Sequence, residues 1–358
     1  MDVRDNQGPH RASIPEARSY NGYVEVSEIG EFGLIERLVS SLGRGAPPDL
    51  VVGIGDDAAV WRTGDGYTIG TTDTLVEGVH FLPGAVSWSD VGWKALAVNV
   101  SDIGAMGGEP QFALVTLALP PETAVEDVEA LYAGLGECAL AYGVTVAGGD
   151  VVSAPQVSIT VALLGRAQVA GGQPLLLLRA GARPGDVIAV SGALGASAAG
   201  LRRLQEGAPA TDPLVRAHAR PSPPLMLGQA AVREGLRCGI DVSDGLLQDI
   251  GHICEMSRLG VAIQADVVPV AAQLRAAYPD DALRLACTGG EDYELMLVGG
   301  REQIERVRAS SDVPVTIIGE MVEGGERRAR LLDADGNEID FGSLGWDHLR
   351  AAPTEHRA

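Results

Sequence analysis

Apolar positions recur with helical spacing from Glu28 to Leu42, at Ile29, Phe32, Leu34, Ile35, Leu38 and Val39, and this spacing predicts a helix. Two β-like runs follow at 50–61 and 67–76. Ser89 stands where it would cap a helix from Asp90 to about Ala105. Strand pattern returns at Phe112–Leu119, Pro120-Pro121 ends it, and Val125–Tyr142 reads as a second long helix. Val144–Ala147 and Val157–Leu164 are β-like. Glycine, proline and arginine then concentrate between 166 and 185, which marks a boundary. Beyond it the pattern predicts a strand at Asp186–Ser191, then a glycine-rich turn and helix at Gly192–Leu204. Residues 205–222 read as a polar surface excursion. Helices are expected at Pro223–Glu234, Gly245–Ser257 and 301–309, and strands at Gly239–Val242, 261–265, 293–298 and 314–319. Mixed β and α order in both halves predicts an α/β or α+β protein of two domains, 28–166 and 167–350. The flanks at 1–27 and 351–358 read as a flexible leader and a tail.

The 358 residues suffice for two cores. With 48 acidic against 27 basic residues, the net charge of -21 argues against nucleic acid or an anionic membrane as partner, because such partners need Lys and Arg to replace their counterions. Phosphorylated substrates stay open if metal ions carry the positive charge. No run reaches the ~18 apolar residues of a membrane span, and a cytoplasmic location is expected. Cys138, Cys238, Cys254 and Cys287 lack metal-site spacing and sit among apolar residues, as buried reduced thiols do.

The chemistry is concentrated in aspartates placed beside glycine at the ends of apolar runs: Asp56 and Asp57, Asp73 after Thr71-Thr72, Asp102, Asp150 after Gly148-Gly149, and Asp241 with Asp244. A carboxylate at such a place is costly unless a cation meets it. The chain has one lysine, Lys94, and Asp90 four residues before it offers an ordinary helix ion pair. A metal ion is therefore the expected cation, with Mg2+ and a polyphosphate the natural pairing for such oxygen donors. Asn99 shares a helix face with Asp102, either as a buried structural pair or as an extension of the same candidate site. A phosphate-binding loop of the G-x-x-x-x-G-K-[ST] kind is absent. The glycine-rich Gly192–Gly200 stretch matches a dinucleotide fingerprint only loosely, and close strand–helix packing accounts for it equally well.

The motifs Gly55-Asp56-Asp57-Ala58-Ala59, Thr71-Thr72-Asp73-Thr74, Glu77-Gly78-Val79-His80-Phe81, Gly92-Trp93-Lys94 with Asn99-Val100-Ser101-Asp102, Gly148-Gly149-Asp150, Asp241-Val242-Ser243-Asp244-Gly245 and Gly289-Gly290-Glu291-Asp292-Tyr293-Glu294-Leu295 occur in this order. Together they resemble the thiamine-monophosphate kinase family of the aminoimidazole ribonucleotide synthetase superfamily, from about residue 28 to Trp346. The resemblance implies an aminoimidazole ribonucleotide synthetase-like fold: an N-terminal mixed sheet that forms a barrel with its copy in a homodimer, and a C-terminal α/β domain. It implies phosphorylation of thiamine monophosphate by ATP with several Mg2+ ions, the last step of thiamine diphosphate biosynthesis. By the same resemblance, Asp57, Thr71, Thr72, Asp73, Asp102, Asp150, Asp241 and Asp244 would bind Mg2+ or nearby phosphates. Tyr132, Gly149, Asp150, Arg179 and Ser243 would contact ATP, and His80, Glu291 and Trp346 would contact thiamine monophosphate. No residue is assigned as general base.

Rival readings are fewer in support. Aminoimidazole ribonucleotide synthetase shares the general aspartate–glycine pattern. Selenophosphate synthetase would need an N-terminal cysteine, and the first here is Cys138. A two-metal phosphohydrolase would bring histidine ligands, which are scarce near these motifs, and a calcium-binding module lacks its loop spacing.

Overall fold

The computed structural model describes residues 25–42, 47–323, 328–342 and 344–346, without the side chains of Phe32 and Glu36. Residues 1–24 of the leader expected at 1–27, and the tail at 351–358, lie outside the described residues. The chain divides into two units, one made of residues 1–43 and 347–358 and the other of residues 44–346. In the first, α1 (Val26–Ser41) is kinked at Gly30, whose φ of 68° leaves the helical region.

In the second unit, β1 (Leu50–Val52), β2 (Ala59–Thr63) and β3 (Gly66–Val76) run antiparallel in sequence. The apolar run at 50–61 is thus two strands, split by the turn that carries Asp56 and Asp57. Helix α2 (Trp88–Ala105) is followed by β4 (Glu109–Leu119), α3 (Val125–Tyr142), β5 (Thr145–Ser153) and β6 (Ser158–Arg166). The six strands form one sheet in the order β1-β2-β3-β6-β4-β5, antiparallel except for β4–β5. The cap of α2 is Ser87 and not Ser89. Ser87 is still extended, and its Oγ accepts from the Asp90 N–H at 3.1 Å.

A small hairpin, β7 (Gln168–Ala170) with β8 (Gln173–Leu175), precedes β9 (Val187–Ser191). Then come α4 (Ala196–Gln205), α5 (Pro213–Ala219), α6 (Leu225–Arg233), β10 (Cys238–Asp241), α7 (Leu246–Ser257) and β11 (Gly260–Gln264). The remaining elements are α8 (Ala272–Ala277), α9 (Ala282–Thr288), β12 (Leu295–Gly299), α10 (Arg301–Ala309), β13 (Val315–Val322), β14 (Ala329–Leu332) and β15 (Glu338–Ile339). The second sheet runs β10-β12-β9-β13-β11-β14-β15. The polar excursion expected at 205–222 instead contains α5. Asp212 caps it, Pro213 opens it, and Leu214, Val215 and His218 are buried. Polar composition concealed a helix whose inward face is only three or four residues wide.

Helix α2 joins the two sheets. It packs on α3 through Gly92 and Gly134, where an added Cβ would come within 1.8 Å of Leu131 O and 1.7 Å of Ser89 O. It meets α6 through Gly104 and Gly228; a Cβ on Gly228 would lie 1.9 Å from Gly104 O. Small residues on two sides let this buried helix carry Ser101 and Asp102 up to β10 of the second sheet. All four cysteines are buried and free. Among the described residues no helix is long and apolar enough to cross a membrane.

Candidate active site

Asp57, Thr71, Asp73, Asp102 and Asp241 come together where the two sheets face each other across α2. Strand alternation explains part of the selection. Thr71 and Asp73 project from the same face of β3, while Thr72 projects from the other with Thr74, whose Oγ1 lies 2.9 Å from Thr160 Oγ1. Thr71 Oγ1 donates to Asp102 Oδ2 at 2.5 Å and lies 3.4 Å from Asp57 O. Ser101 Oγ, on α2, donates to Asp241 Oδ2 at 2.5 Å and ties the halves together.

The electrostatics are those of an acid-crowded pocket. Burial, followed by the charges of Asp73, Asp241 and Asp57, holds the Asp102 carboxyl well above the usual carboxylate range, against the Thr71 hydrogen bond. Burial and then Asp57 push Asp241 up to about 7. Asp56 is raised to about 6, chiefly by burial. The cation that meets the Asp56-Asp57 turn is Arg179, which follows the β7–β8 hairpin. Its Nε and Nη2 donate to Asp57 Oδ1 at 3.0 and 2.5 Å, and its main-chain N–H donates to Asp56 Oδ1 at 2.9 Å. The Asp57 side chain is 1% exposed, and its Oδ2 is buried without a hydrogen-bond partner.

Lys94 does not pair with Asp90. Asp90 is taken by Ser87 and Arg220, and Lys94 Nζ lies 2.7 Å from Glu291 Oε1. Helix α2 points Lys94 inward, and a buried ammonium requires a buried carboxylate. Asn99 turns back on its own helix, donating to Ala95 O at 3.1 Å, with Oδ1 unpartnered.

Other residues singled out in the sequence lie around this centre. Asp150 is exposed on the edge strand β5 opposite Thr116, and its Oδ1 accepts from Val151 N at 2.9 Å; no hydrogen bond joins it to the central carboxylates. Beside it, Gly149 passes so close to β4 that a Cβ would sit 1.8 Å from Val115 O. Tyr132 is exposed on α3. Ser243 and Asp244 form the loop before α7, and Asp249 fixes that loop. Asp249 Oδ2 accepts from the N–H groups of Ser243, Asp244 and Gly245 at 3.0, 3.1 and 3.0 Å. Trp346 is seated on the same loop. Its N–H donates to Asp244 O at 3.1 Å, Gln248 Nε2 donates to its carbonyl, and its side chain is half exposed. His80 Nδ1 accepts from Val76 N at 3.1 Å.

Two supporting residues carry no role in the sequence motifs. Asp249 stands on the apolar face of α7 between Leu246 and Ile250, where a buried carboxylate is legible only as a break in an apolar stripe. Tyr293 is buried, and its phenol is pushed well up by burial and then by Glu291, Asp73, Asp241 and Asp102. The N-terminus of α4, in the glycine-rich stretch, is occupied by the chain itself: Asp292 accepts from Gly195 N at 2.6 Å and Ser197 N at 3.2 Å. The glycines there serve packing. A Cβ on Gly200 would lie 2.1 Å from Leu214 O.

Among the described residues no group of three His, Cys, Asp or Glu side chains is arranged to hold a metal ion. This donor set still fits Mg2+. That ion is ordinarily held by one or two carboxylates together with phosphate oxygens and water, not by an all-protein cage. The centre offers hard oxygen donors only, an unpartnered buried Asp57 Oδ2, and a surplus of negative charge.

The description AIR synthase related protein, N-terminal domain matches residues 55–167, and AIR synthase related protein, C-terminal domain matches residues 183–331. The thiamine-monophosphate kinase of Mycobacterium tuberculosis (strain ATCC 25618 / H37Rv) is 39% identical over 328 residues, covering 90% of this chain and 92% of that protein. The thiamine-monophosphate kinase of Escherichia coli (strain K12) is 37% identical over 332 residues, covering 89% and 98%. Among solved structures, AaThiL complexed with AMPPCP and TMP superposes with a TM-score of 0.80 at 32% identity, covering 92% of this chain and all of that one. Thiamine-monophosphate kinase from Stenotrophomonas maltophilia K279a gives 0.69 at 36% identity, covering 86% and 96%. With its two-sheet architecture and its aspartate motifs in order, this chain belongs to the thiamine-monophosphate kinase family, within the AIR synthase related proteins.

Proposed function

We propose that this chain transfers the γ-phosphoryl group of ATP to thiamine monophosphate, giving thiamine diphosphate and ADP, the last step of thiamine diphosphate biosynthesis. The observation that carries this reading is the acid-crowded centre of Asp57, Asp73, Asp102 and Asp241, built from both halves of the chain, with Arg179 as its resident cation. Membership of a kinase family, and a superposable relative complexed with AMPPCP and TMP, supply the substrates.

A phosphate oxygen of thiamine monophosphate attacks the γ-phosphorus in line, the bond to the β–γ bridging oxygen breaks, and ADP leaves with that electron pair. The attacking oxygen is already ionised near neutral pH, so no general base is required. Asp57, Thr71, Asp73, Asp102 and Asp241, with Asp244 at the margin, would hold Mg2+ ions, and by the family resemblance Thr72 and Asp150, which lie apart from this centre, would bind Mg2+ or phosphates. Bound there, Mg2+ supplies charge neutralisation along the phosphates. Tyr132, Gly149, Asp150, Arg179 and Ser243 hold the nucleotide in this reading. His80, Glu291 and Trp346 hold thiamine monophosphate, with the exposed indole offered to the cationic thiazolium.

Domains spanning 28–166 and 167–350 belong to the same reading, supported by the end of β6 at Arg166. So does a homodimer. The outer face of the six-stranded sheet carries Phe112, Leu114, Val152 and Leu164, all exposed, and a second copy of that face is the natural cover. Free buried thiols suit a cytoplasmic location. The reading is tested by incubating the purified protein with ATP, Mg2+ and thiamine monophosphate and resolving the products. Thiamine diphosphate and ADP in equal amounts are expected; ADP alone, or neither product, overturns it.

A further inference from the structure

Three carboxylates stand close together in the segment leading into β12, and each has its own fixed partners. Asp292 is held by the start of α4, Glu294 accepts from Ser191 Oγ, and Glu291 is paired with Lys94 and flanked by His218. Lys94 Nζ lies 2.7 Å from Glu291 Oε1, and His218 Nδ1 lies 3.3 Å from Oε2. Lys94 is 2% exposed and His218 is 5% exposed. His218 Nδ1 is also 3.0 Å from Ser197 Oγ, and Lys94 Nζ reaches His80 O at 3.5 Å.

The backbone here is strained as well. Glu291 has φ 65° and Tyr293 φ 52°, the left-handed region that non-glycine residues avoid. The Glu291 N–H donates to Ser243 O at 2.7 Å and the Tyr293 N–H to Val242 O at 2.8 Å. Strain of this kind persists only where surrounding structure over-determines it, and such places cluster at ligand-binding sites. The Glu291 backbone is thus fixed and one carboxylate oxygen is held by Lys94, yet the side chain remains 25% exposed. Lone pairs not used by Lys94 and His218 are left to a ligand. Burial, and next to it the Lys94 charge, push the His218 imidazole down to about 4, so near neutral pH the ring is uncharged and Lys94 supplies the positive charge of the clamp.

We propose that Lys94 and His218 are positioning residues that set the affinity for thiamine monophosphate by fixing Glu291, with Lys94 also tying the His80 segment to it. This rests on the reading of Glu291 and His80 as substrate contacts. Neither clamp residue touches substrate in this account. Each acts through Glu291, which a purely structural role would not require.

The experiment measures steady-state kinetics for both substrates in wild type, Lys94→Met, His218→Gln, Glu291→Gln and the Lys94→Met/Glu291→Gln pair. For Lys94→Met we expect KM for thiamine monophosphate to rise roughly tenfold or more, as displaced binding groups do, with KM for ATP within about twofold. The double variant should be no worse than Glu291→Gln alone, because Lys94 then has nothing to position. It also removes both charges of the pair, so it reports even if Lys94→Met unfolds, and His218→Gln reports independently on the other oxygen. Unchanged KM for thiamine monophosphate, equal loss for both substrates, or additive effects of the Lys94 and Glu291 changes would overturn the clamp. Should the wild type bind thiamine monophosphate without making thiamine diphosphate, the proposed function fails. The clamp is then judged by the same comparison of calorimetric Kd values, and wild-type protein that binds no thiamine monophosphate at all would overturn it too.

Discussion

Arg179 meets Asp57 with two donors on one carboxylate oxygen, at 3.0 and 2.5 Å, and leaves the other oxygen buried and unpartnered. One arginine therefore offsets part of the charge of the centre, and the free oxygen marks where a further cation is stabilising. Mg2+ alone, without nucleotide, should raise the melting temperature. At a concentration 100 times Kd, binding linkage gives about 2.7 kcal/mol, or roughly 3–4 °C for a chain of this size. Melts in Mg2+ and in EDTA check this. Asp57→Asn should lose most of the increment, and an unchanged increment would remove Asp57 from the metal site.

A second expectation concerns pH and His218. Its pKa is depressed in the fold, from 6.5 to about 4, chiefly by burial and then by Lys94. The folded state therefore binds the proton less readily than the unfolded chain does. The stability this group contributes is present above pH 6.5 and lost as pH falls from there towards 4. The gap amounts to roughly 3 kcal/mol. Urea unfolding at pH 7.5, 5.5 and 4 should show a shallower acid loss in His218→Gln than in the wild type. Parallel curves would contradict the assignment.

Much of this was legible in the sequence, and the exceptions share a cause. Helices α3 and α10 begin and end where the apolar spacing places them, because their apolar positions repeat over several turns. Helix α5 was missed because one short buried face does not make a period. The aspartates that join the centre are those whose neighbours fix their direction: Asp73 by strand alternation, and Asp102 by its position on a buried helix. Direction is also why Asp150 and Thr72, equally prominent in the motifs, lie apart from it. Partner identity was the hardest to read. Lys94 with Glu291 and Arg179 with Asp57 join residues more than a hundred positions apart, and no local rule pairs them.

The exposed sheet face gives a prediction about assembly. Leu114→Glu places a charge among Phe112, Val152 and Leu164, on a surface proposed to be covered by a second copy. Sedimentation equilibrium should show a dimer for the wild type and a shift towards monomer for the variant. A wild-type monomer, or an undisturbed dimer, would contradict that surface.

The close approach of α2 and α3 is testable through Gly92. A Cβ there would meet Leu131 O at 1.8 Å, and backbone at that distance cannot yield as a flexible side chain does. Gly92→Ala should cost about 2–3 kcal/mol or more in denaturant unfolding. A cost below about 0.5 kcal/mol would mean that the helices separate freely.

Phosphoryl transfer from ATP to the phosphate of thiamine monophosphate is read from the position of a label. Purified protein is incubated with Mg2+, thiamine monophosphate and ATP labelled at the γ-phosphorus, and the product is separated and degraded stepwise. The account predicts all of the transferred label in the terminal phosphate of thiamine diphosphate, one per ADP formed. Label released as inorganic phosphate, with no labelled thiamine diphosphate, would contradict it.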